Sequence, residues 1–333
     1  MRALVSTTIG GPDQLELQIF PDPVPQAHEV LVDVKACGVN FPDTLIIRDK
    51  YQIKPERPFA PGGEWAGVVV EVGTDVTHLK VGDRIAATTL YGGMCERRVV
   101  EESACIPIPD DMPFADAASF FLTYATTYYG LKIRGAIKPG ETLLILGATG
   151  GLGIAAIELG KYFGAKVIAG VSSQEKAEIA KKAGADHVLI YPRELEGIDA
   201  IRALSQRIKD ICGDAGVDVV YDSLGGAYSE AALRAMARYG RMLVIGFVAG
   251  IPKVPTNMIL LKSCQLVGVS YGGFSQKDQV GHLEICKALI ALYQQKIIRP
   301  HITARFGLER GGEAISLLET RQAIGKIVVD VQS

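Results

Sequence analysis

The apolar positions of this chain come first as short β-branched runs and then as runs that alternate with helical segments. Up to about residue 120, Val30-Leu-Val-Asp-Val-Lys-Ala36 and Ala66-Gly-Val-Val-Val-Glu-Val72 predict strands. Pro21-Asp-Pro-Val-Pro25, Pro61-Gly-Gly63 and Val81-Gly-Asp-Arg84 punctuate them as turns. Near residue 115 the texture changes. Ala115 to Gly130 predicts helix, and strands at 142–147, 166–171, 186–190, 217–222 and 241–247 then alternate with helices. Alternation of that kind implies a doubly wound parallel sheet. Gln265-Leu-Val-Gly-Val269 adds a last apolar strand. A helix at 278–295, another near 311–320 and a final strand, Lys326-Ile-Val-Val-Asp330, make up the tail, and that strand has to return to the β-rich half.

One junction carries chemistry. The apolar run Leu143 to Leu146 ends in small residues, and an Ala-rich helical segment, Ile154 to Phe163, follows. Ala148, Gly150 and Gly153 have the spacing of a dinucleotide-binding fingerprint with Ala in the first place, the whole loop being Ala148, Thr149, Gly150, Gly151, Leu152 and Gly153. Gly150 lets the backbone approach a pyrophosphate, and Gly153 lets the helix pack close to its strand. The helix N-terminus faces the phosphate charge.

The next strand selects the nucleotide. About 20 residues past the fingerprint an NAD site places an acid on the ribose 2′-OH. Here the positions are Gly170, Val171, Ser172 and Ser173, with Lys176 behind and no acid before Glu175. A carboxylate about 4 Å from a 2′-phosphate would repel it by roughly 4 kcal/mol at an effective dielectric of about 20. Ser172 and Ser173 donate hydrogen bonds and Lys176 supplies the countercharge, which favours NADPH; the alternative for Lys176 is a solvated helix lysine.

Composition narrows the class. The 333 residues are 48% hydrophobic and 22% charged, enough for two domains, and the net charge of −2 points to no nucleic acid or other polyanion. Six cysteines (Cys37, Cys95, Cys105, Cys212, Cys264 and Cys286) form no CxxC pair, which favours a reduced, cytoplasmic protein. The start of the chain lacks an apolar signal core, and no apolar run approaches a membrane span.

The chain resembles a medium-chain dehydrogenase/reductase, and within that class the zinc-free NADPH:quinone oxidoreductases of the zeta-crystallin type. The motifs are Ala36-Cys-Gly-Val-Asn-Phe-Pro-Asp43, Pro61-Gly-Gly-Glu-Trp-Ala-Gly67, Val81-Gly-Asp-Arg84, Leu122-Thr-Tyr-Ala-Thr-Thr127, the Ala148–Gly153 loop and Ala183-Gly-Ala-Asp186. The resemblance implies an α/β fold with a discontinuous GroES-like β-barrel catalytic domain over 1–123 and 267–333. It also implies a doubly wound parallel Rossmann domain over 124–266, expected to hold NADPH in a cleft between the two. It further implies a homodimer joined through Rossmann sheet edges, for which Leu266 to Val269 is the expected edge. Thr127, Tyr191, Gly246, Phe247, Val248, Val269, Ser270, Tyr271 and Arg321 match positions near the cofactor in the family.

Zinc-dependent relatives carry a cysteine after Gly-Val and a His-Glu pair in the following turn, where this chain has Asn40 and Gly63-Glu64. Cys95 and Cys105 fall short of a structural zinc set. Without a Lewis acid, a conjugated enone or a quinone is the easier hydride acceptor, because charge spreads onto oxygen and hydrogen-bond donors can hold it. Asn40 and Tyr51 are the expected donors, with Asp43 shaping their pocket. The competing readings are that Asn40 and Asp43 cap a helix starting near Asp43, and that Tyr51 only packs on Trp65 or Phe59. Glu64 is expected to be structural and Cys37 a small buried residue. Two rival functions stand beside the quinone or enone reductase. One is an enoyl-CoA reductase of acryloyl-CoA type, with Arg48, Lys50, Lys54 and Arg57 meeting the CoA phosphates. The other is a non-catalytic NADPH-binding sensor or structural protein.

Overall fold

The computed structural model describes residues 1–320 and 323–332. Seven strands lie in the first part of the chain: β1 (Arg2–Ser6), β2 (Leu15–Ile19), β3 (Glu29–Val39), β4 (Glu64–Val72), β5 (Arg84–Thr88), β6 (Arg97–Glu101) and β7 (Cys105–Pro107). Six follow: β8 (Thr142–Leu146), β9 (Lys166–Val171), β10 (His187–Ile190), β11 (Val217–Asp222), β12 (Met236–Val244) and β13 (Gln265–Gly268). Two close the chain, β14 (Ile302–Gly307) and β15 (Lys326–Asp330). Contacts divide the chain into a first unit, 1–122 with 299–333, and a second unit, 123–298.

In the first unit a sheet runs β14-β15-β3-β4-β5-β7, with β6 also pairing β3. Every pairing is antiparallel except β14 with β15. Val30, Val32 and Val34 recur at the strand period of two and enter one core with Trp65, Val69, Ile85, Ile327 and Val329. Two register shifts between β3 and β4 bend the long strand β3.

The second unit holds one parallel sheet in the order β10-β9-β8-β11-β12-β13. Counted within the sheet this is 3-2-1-4-5-6, the Rossmann order, and it reverses between β8 and β11. Leu143 to Leu146 are fully buried, as a central parallel strand covered on both faces requires. Helices Gly151–Tyr162, Gln174–Lys182, Ile198–Cys212 and Gly226–Ala235 make the crossovers.

Two expectations change. The helix expected over Ala115 to Gly130 is broken into Phe114–Ala117 and Phe121–Tyr128, followed by a wider π turn, Tyr129–Arg134. At the break the Ala118 carbonyl lies against β3, so closely that a Cβ at Gly38 would be 1.9 Å from it. The domain limit expected at residue 266 is also displaced, because 267–298 packs within the second unit. That segment carries helices Tyr271–Lys277 and Gln279–Gln294, and Ile285, Leu289 and Leu292 form the buried stripe of the second.

Candidate functional site

At the end of β8 the chain turns through Gly147 at φ +80°, where a side chain is strained. Helix Gly151–Tyr162 then starts with Gly150 as its N-cap, a turn earlier than the apolar pattern alone implies. The first intrahelical bond runs from the Ile154 N–H to the Gly150 carbonyl at 2.9 Å. The N–H groups of Gly151, Leu152 and Gly153 are therefore left at the positive end of the helix. The glycines differ in what they serve. A Cβ on Gly153 would lie 2.2 Å from the Gly147 carbonyl oxygen and 2.5 Å from the Ala148 carbonyl carbon, so helix and turn demand glycine there. A Cβ on Gly150 would meet only the Gly147 carbonyl, at 3.8 Å, so packing places no such demand. Ala148 and Thr149 are buried beneath the turn, and Ala148 N–H bonds the Gly170 carbonyl at 3.0 Å.

Beyond β9, the Ser173 hydroxyl caps helix Gln174–Lys182 by accepting from Lys176 N–H at 3.3 Å, so that oxygen is partly spent. Ser172, half-buried, has no side-chain hydrogen bond among the described residues. The Lys176 ammonium titrates below the usual lysine range, first through burial and then through the Arg193 guanidinium near it. Arg193 is a basic residue that the sequence reading passed over. It follows β10, and its segment is pinned by the Tyr228 hydroxyl, which shares its proton between the carbonyls of Pro192 and Arg193 at 2.8 and 2.7 Å. Tyr191 is buried against Tyr228, with ring centroids 5.1 Å apart.

The remaining expected cofactor residues are unequal. Gly246, Phe247 and Val248 form the loop after β12, with Phe247 exposed and Ala249 N–H tied to the Leu224 carbonyl at 2.7 Å. That loop meets the one after β11, which buried Asp222 holds by accepting from the Leu224 and Gly225 N–H groups. Thr127 is fully buried, and its hydroxyl donates to the Thr123 carbonyl and lies 2.9 Å from the Tyr221 hydroxyl. Val269 and Ser270 follow β13, Ser270 exposed. Tyr271 is buried with its hydroxyl 2.6 Å from His282 Nδ1. Neither Thr127 nor Tyr271 thus holds its hydroxyl in reserve. Arg321 lies outside the described residues.

The first unit holds the polar cluster. Helix Phe41–Ile46 starts at Asn40, and Asp43 in its first turn accepts from the Asn40 backbone N–H at 2.8 Å. The other Asp43 oxygen accepts from Gly62 N–H at 3.0 Å, in a turn where Gly62 has φ +95°. Burial raises the Asp43 carboxyl to about 6, against the pull of those N–H groups and of Lys326. Asn40 and Asp43 together form a capping box at this helix start, as the competing reading expects, and the Asn40 side chain is engaged by two further groups. The β15–β3 register, Ile327 opposite Val39, brings Lys326 beside Asn40, and the β3–β4 register, Gly38 opposite Glu64, brings the carboxylate to the same place. Lys326 Nζ lies 2.6 Å from Asn40 Oδ1 and 3.1 Å from Glu64 Oε2, and Asn40 Nδ2 donates to Glu64 Oε2 at 2.9 Å. Glu64 Oε1 accepts from Leu122 N–H at 2.9 Å. Lys326 was not singled out from the sequence; a lysine heading an apolar strand in a chain that lacks the metal ligands was the available signal.

Tyr51 is half-buried, its phenol pushed upward by burial and then by the Asp43 charge, and its hydroxyl has no partner among the described residues. Arg48 pairs with Glu319, and Arg57 with Asp49 at 2.7 Å, so two of the four basic residues expected to meet CoA are already neutralised.

A GroES-like unit joined to a 3-2-1-4-5-6 sheet is the build of a medium-chain dehydrogenase/reductase. Two family models match: an alcohol dehydrogenase GroES-like domain over 26–110 and a zinc-binding dehydrogenase domain over 151–284. The quinone oxidoreductase-like protein 2 homolog of Nematostella vectensis is 36% identical, over 99% of this chain and 89% of its own. Among solved structures, a probable oxidoreductase from Mycobacterium abscessus is 36% identical with a TM-score of 0.88, covering 99% of each chain. Escherichia coli quinone oxidoreductase complexed with NADPH is 31% identical with a TM-score of 0.90, covering 99% of this chain and 100% of that one. The chain belongs to the zinc-free quinone oxidoreductase family of the medium-chain dehydrogenases/reductases.

The zinc in the second model's description does not suit the residues present. Where a cation would need Cys, His and carboxylate ligands, Asn40 and Glu64 already bracket an ammonium. Among the described residues no group of three or more His, Cys, Asp and Glu side chains gathers as a metal set. Burial raises the Cys95 thiol to about 11 and Cys105 to about 12, so both are neutral thiols.

Proposed function

We propose that this chain is an NADPH-dependent, metal-independent reductase that delivers hydride to quinones or α,β-unsaturated carbonyls. The observation that carries the reading is the cationic pair Lys176 and Arg193 behind Ser172, where a carboxylate would select NAD. It is supported by the family and by the NADPH held in the Escherichia coli relative.

Bound NADPH supplies the hydride from its nicotinamide ring. Gly150 to Gly153 hold the pyrophosphate, and Ser172, Ser173, Lys176 and Arg193 hold the 2′-phosphate. Hydride addition to a carbon of the acceptor moves an electron pair onto its oxygen. Tyr51, whose raised phenol stays protonated at neutral pH, meets that oxygen as a donor, with Asn40 beside it. Solvent or Tyr51 provides the proton that completes the reduced product.

The test is NADPH consumption against a simple quinone, an enone, an enoyl-CoA thioester and a saturated aldehyde, with NADH in parallel. Turnover of quinone or enone with NADPH preferred is the expected result. Preferred reduction of the aldehyde, or an NADH preference, contradicts it. Preference for the CoA thioester would favour the enoyl-CoA reading, and binding of NADPH without any turnover a non-catalytic role. We further propose a homodimer paired through the edge strand β13, because Leu260, Leu261 and Leu266 are 78%, 69% and 40% exposed beside it. A cytoplasmic setting suits the six free thiols.

A further inference from the structure

A carboxamide is nearly symmetric in shape but not in chemistry: one end only accepts and the other only donates. Asn40 is wedged between two partners that remove the ambiguity. Its Oδ1 faces the Lys326 ammonium at 2.6 Å, which can only donate. Its Nδ2 faces the Glu64 carboxylate at 2.9 Å, which when ionised only accepts. Lys326 is itself held by Glu64 at 3.1 Å and by the Val39 carbonyl at 3.4 Å, and Glu64 by the Leu122 N–H. Both charged side chains are buried, at 4% and 1% exposure. Burying such a pair is not a cheap route to stability, and an apolar pair of similar volume is often as stable or more so. The second Nδ2 hydrogen is spent weakly, on the Gly38 carbonyl at 3.3 Å.

We propose that Lys326 and Glu64 form an orientation lock on Asn40, with Lys326 as a positioning residue, so that the weakly held N–H is the one offered to the acceptor oxygen. A flipped carboxamide would offer a carbonyl instead and repel the developing negative charge. The lock is a property of the folded chain; only its catalytic consequence rests on the reductase reading above.

The experiment combines activity with a spectroscopic readout on the full chain. Lys326→Met/Glu64→Gln removes both charges together and leaves neither buried alone. The expected outcome is retained NADPH binding, a kcat for quinone lower by roughly a hundredfold, as for loss of one oxyanion donor, and little change in KM. Asn40→Ala is expected to give a similar loss, and the triple variant no further loss, since all three act through one group. Wild-type kcat in a folded double variant, or losses that add to Asn40→Ala, overturns the proposal. Asparagine-selective 15N spectra read the lock without turnover. The Asn40 carboxamide proton that faces Glu64 is expected to exchange slowly in the wild type and faster in Lys326→Met, or in Lys326→Gln if the former does not fold. Fast exchange in the wild type overturns the lock. If the wild type reduces no acceptor, the reductase reading fails while the spectra still decide the lock.

Discussion

At the scale of single residues, substitutions at Gly150 and Gly153 are expected to separate cofactor binding from folding. Gly153→Ala drives a Cβ into the backbone of the preceding turn and is expected to cost about 1–3 kcal/mol of stability. Gly150→Ala meets no such obstacle and should cost no more than about 1 kcal/mol, the loss of a glycine N-cap. Its NADPH Kd should nevertheless rise at least about tenfold, a cost of about 1.4 kcal/mol. Denaturant titration and cofactor fluorescence check both, and unaltered binding by Gly150→Ala would count against the cradle. Asp43 gives a pH signature. Its carboxyl holds its proton to about 6 in the fold against 3.8 ordinarily, so its contribution to stability is full below 3.8 and is lost as pH rises through 6. The difference is worth about 3 kcal/mol. Urea unfolding at about pH 3.5 and about pH 7 should show that loss in wild type and not in Asp43→Asn; equal slopes contradict it. Asn40 and Asp43 were legible through a motif, whereas Lys326 was not. Its partners come from β3 and β4, and only the strand register brings them together.

Among elements, the proposed function gives the loops at the carboxyl ends of β9 and β10 the choice of dinucleotide. Lys176→Ala and Arg193→Ala should each weaken NADPH about tenfold or more while leaving NADH within about threefold, since only the 2′-phosphate meets them. Calorimetry with both cofactors checks this, and parallel losses for the two would place these side chains elsewhere. β9, β11 and β15 were readable to the residue, because each is a mainly apolar, β-branched run buried over most of its length. The broken helix near residue 118 was not, since the break sits where the chain meets β3, eighty residues earlier, a contact no local pattern displays. Arg193 escaped notice because its meaning depends on Lys176 from another loop.

For the whole molecule, the two-unit organisation was anticipated but not the place where the chain leaves the second unit. The apolar stripe of Gln279–Gln294 reads equally well as belonging to either unit, and only its packing partners decide. No helix among the described residues is long and apolar enough to cross a membrane. The exposed leucines beside β13 are the surface we propose for a dimer. Leu260→Asp with Leu261→Asp should convert a dimer into a monomer by light scattering without loss of NADPH binding. A wild-type monomer, or a dimer that survives both charges, would move the interface elsewhere. Hydride delivery from NADPH without a metal is tested by reduction of an enone or quinone with NADPH carrying deuterium at the reactive C4 position, in the presence of a strong chelator. Turnover undiminished by the chelator, a slower rate with the label and, for the enone, deuterium on the β-carbon of the product are expected; loss of turnover to the chelator, or label released to solvent, would rule out metal-free hydride transfer.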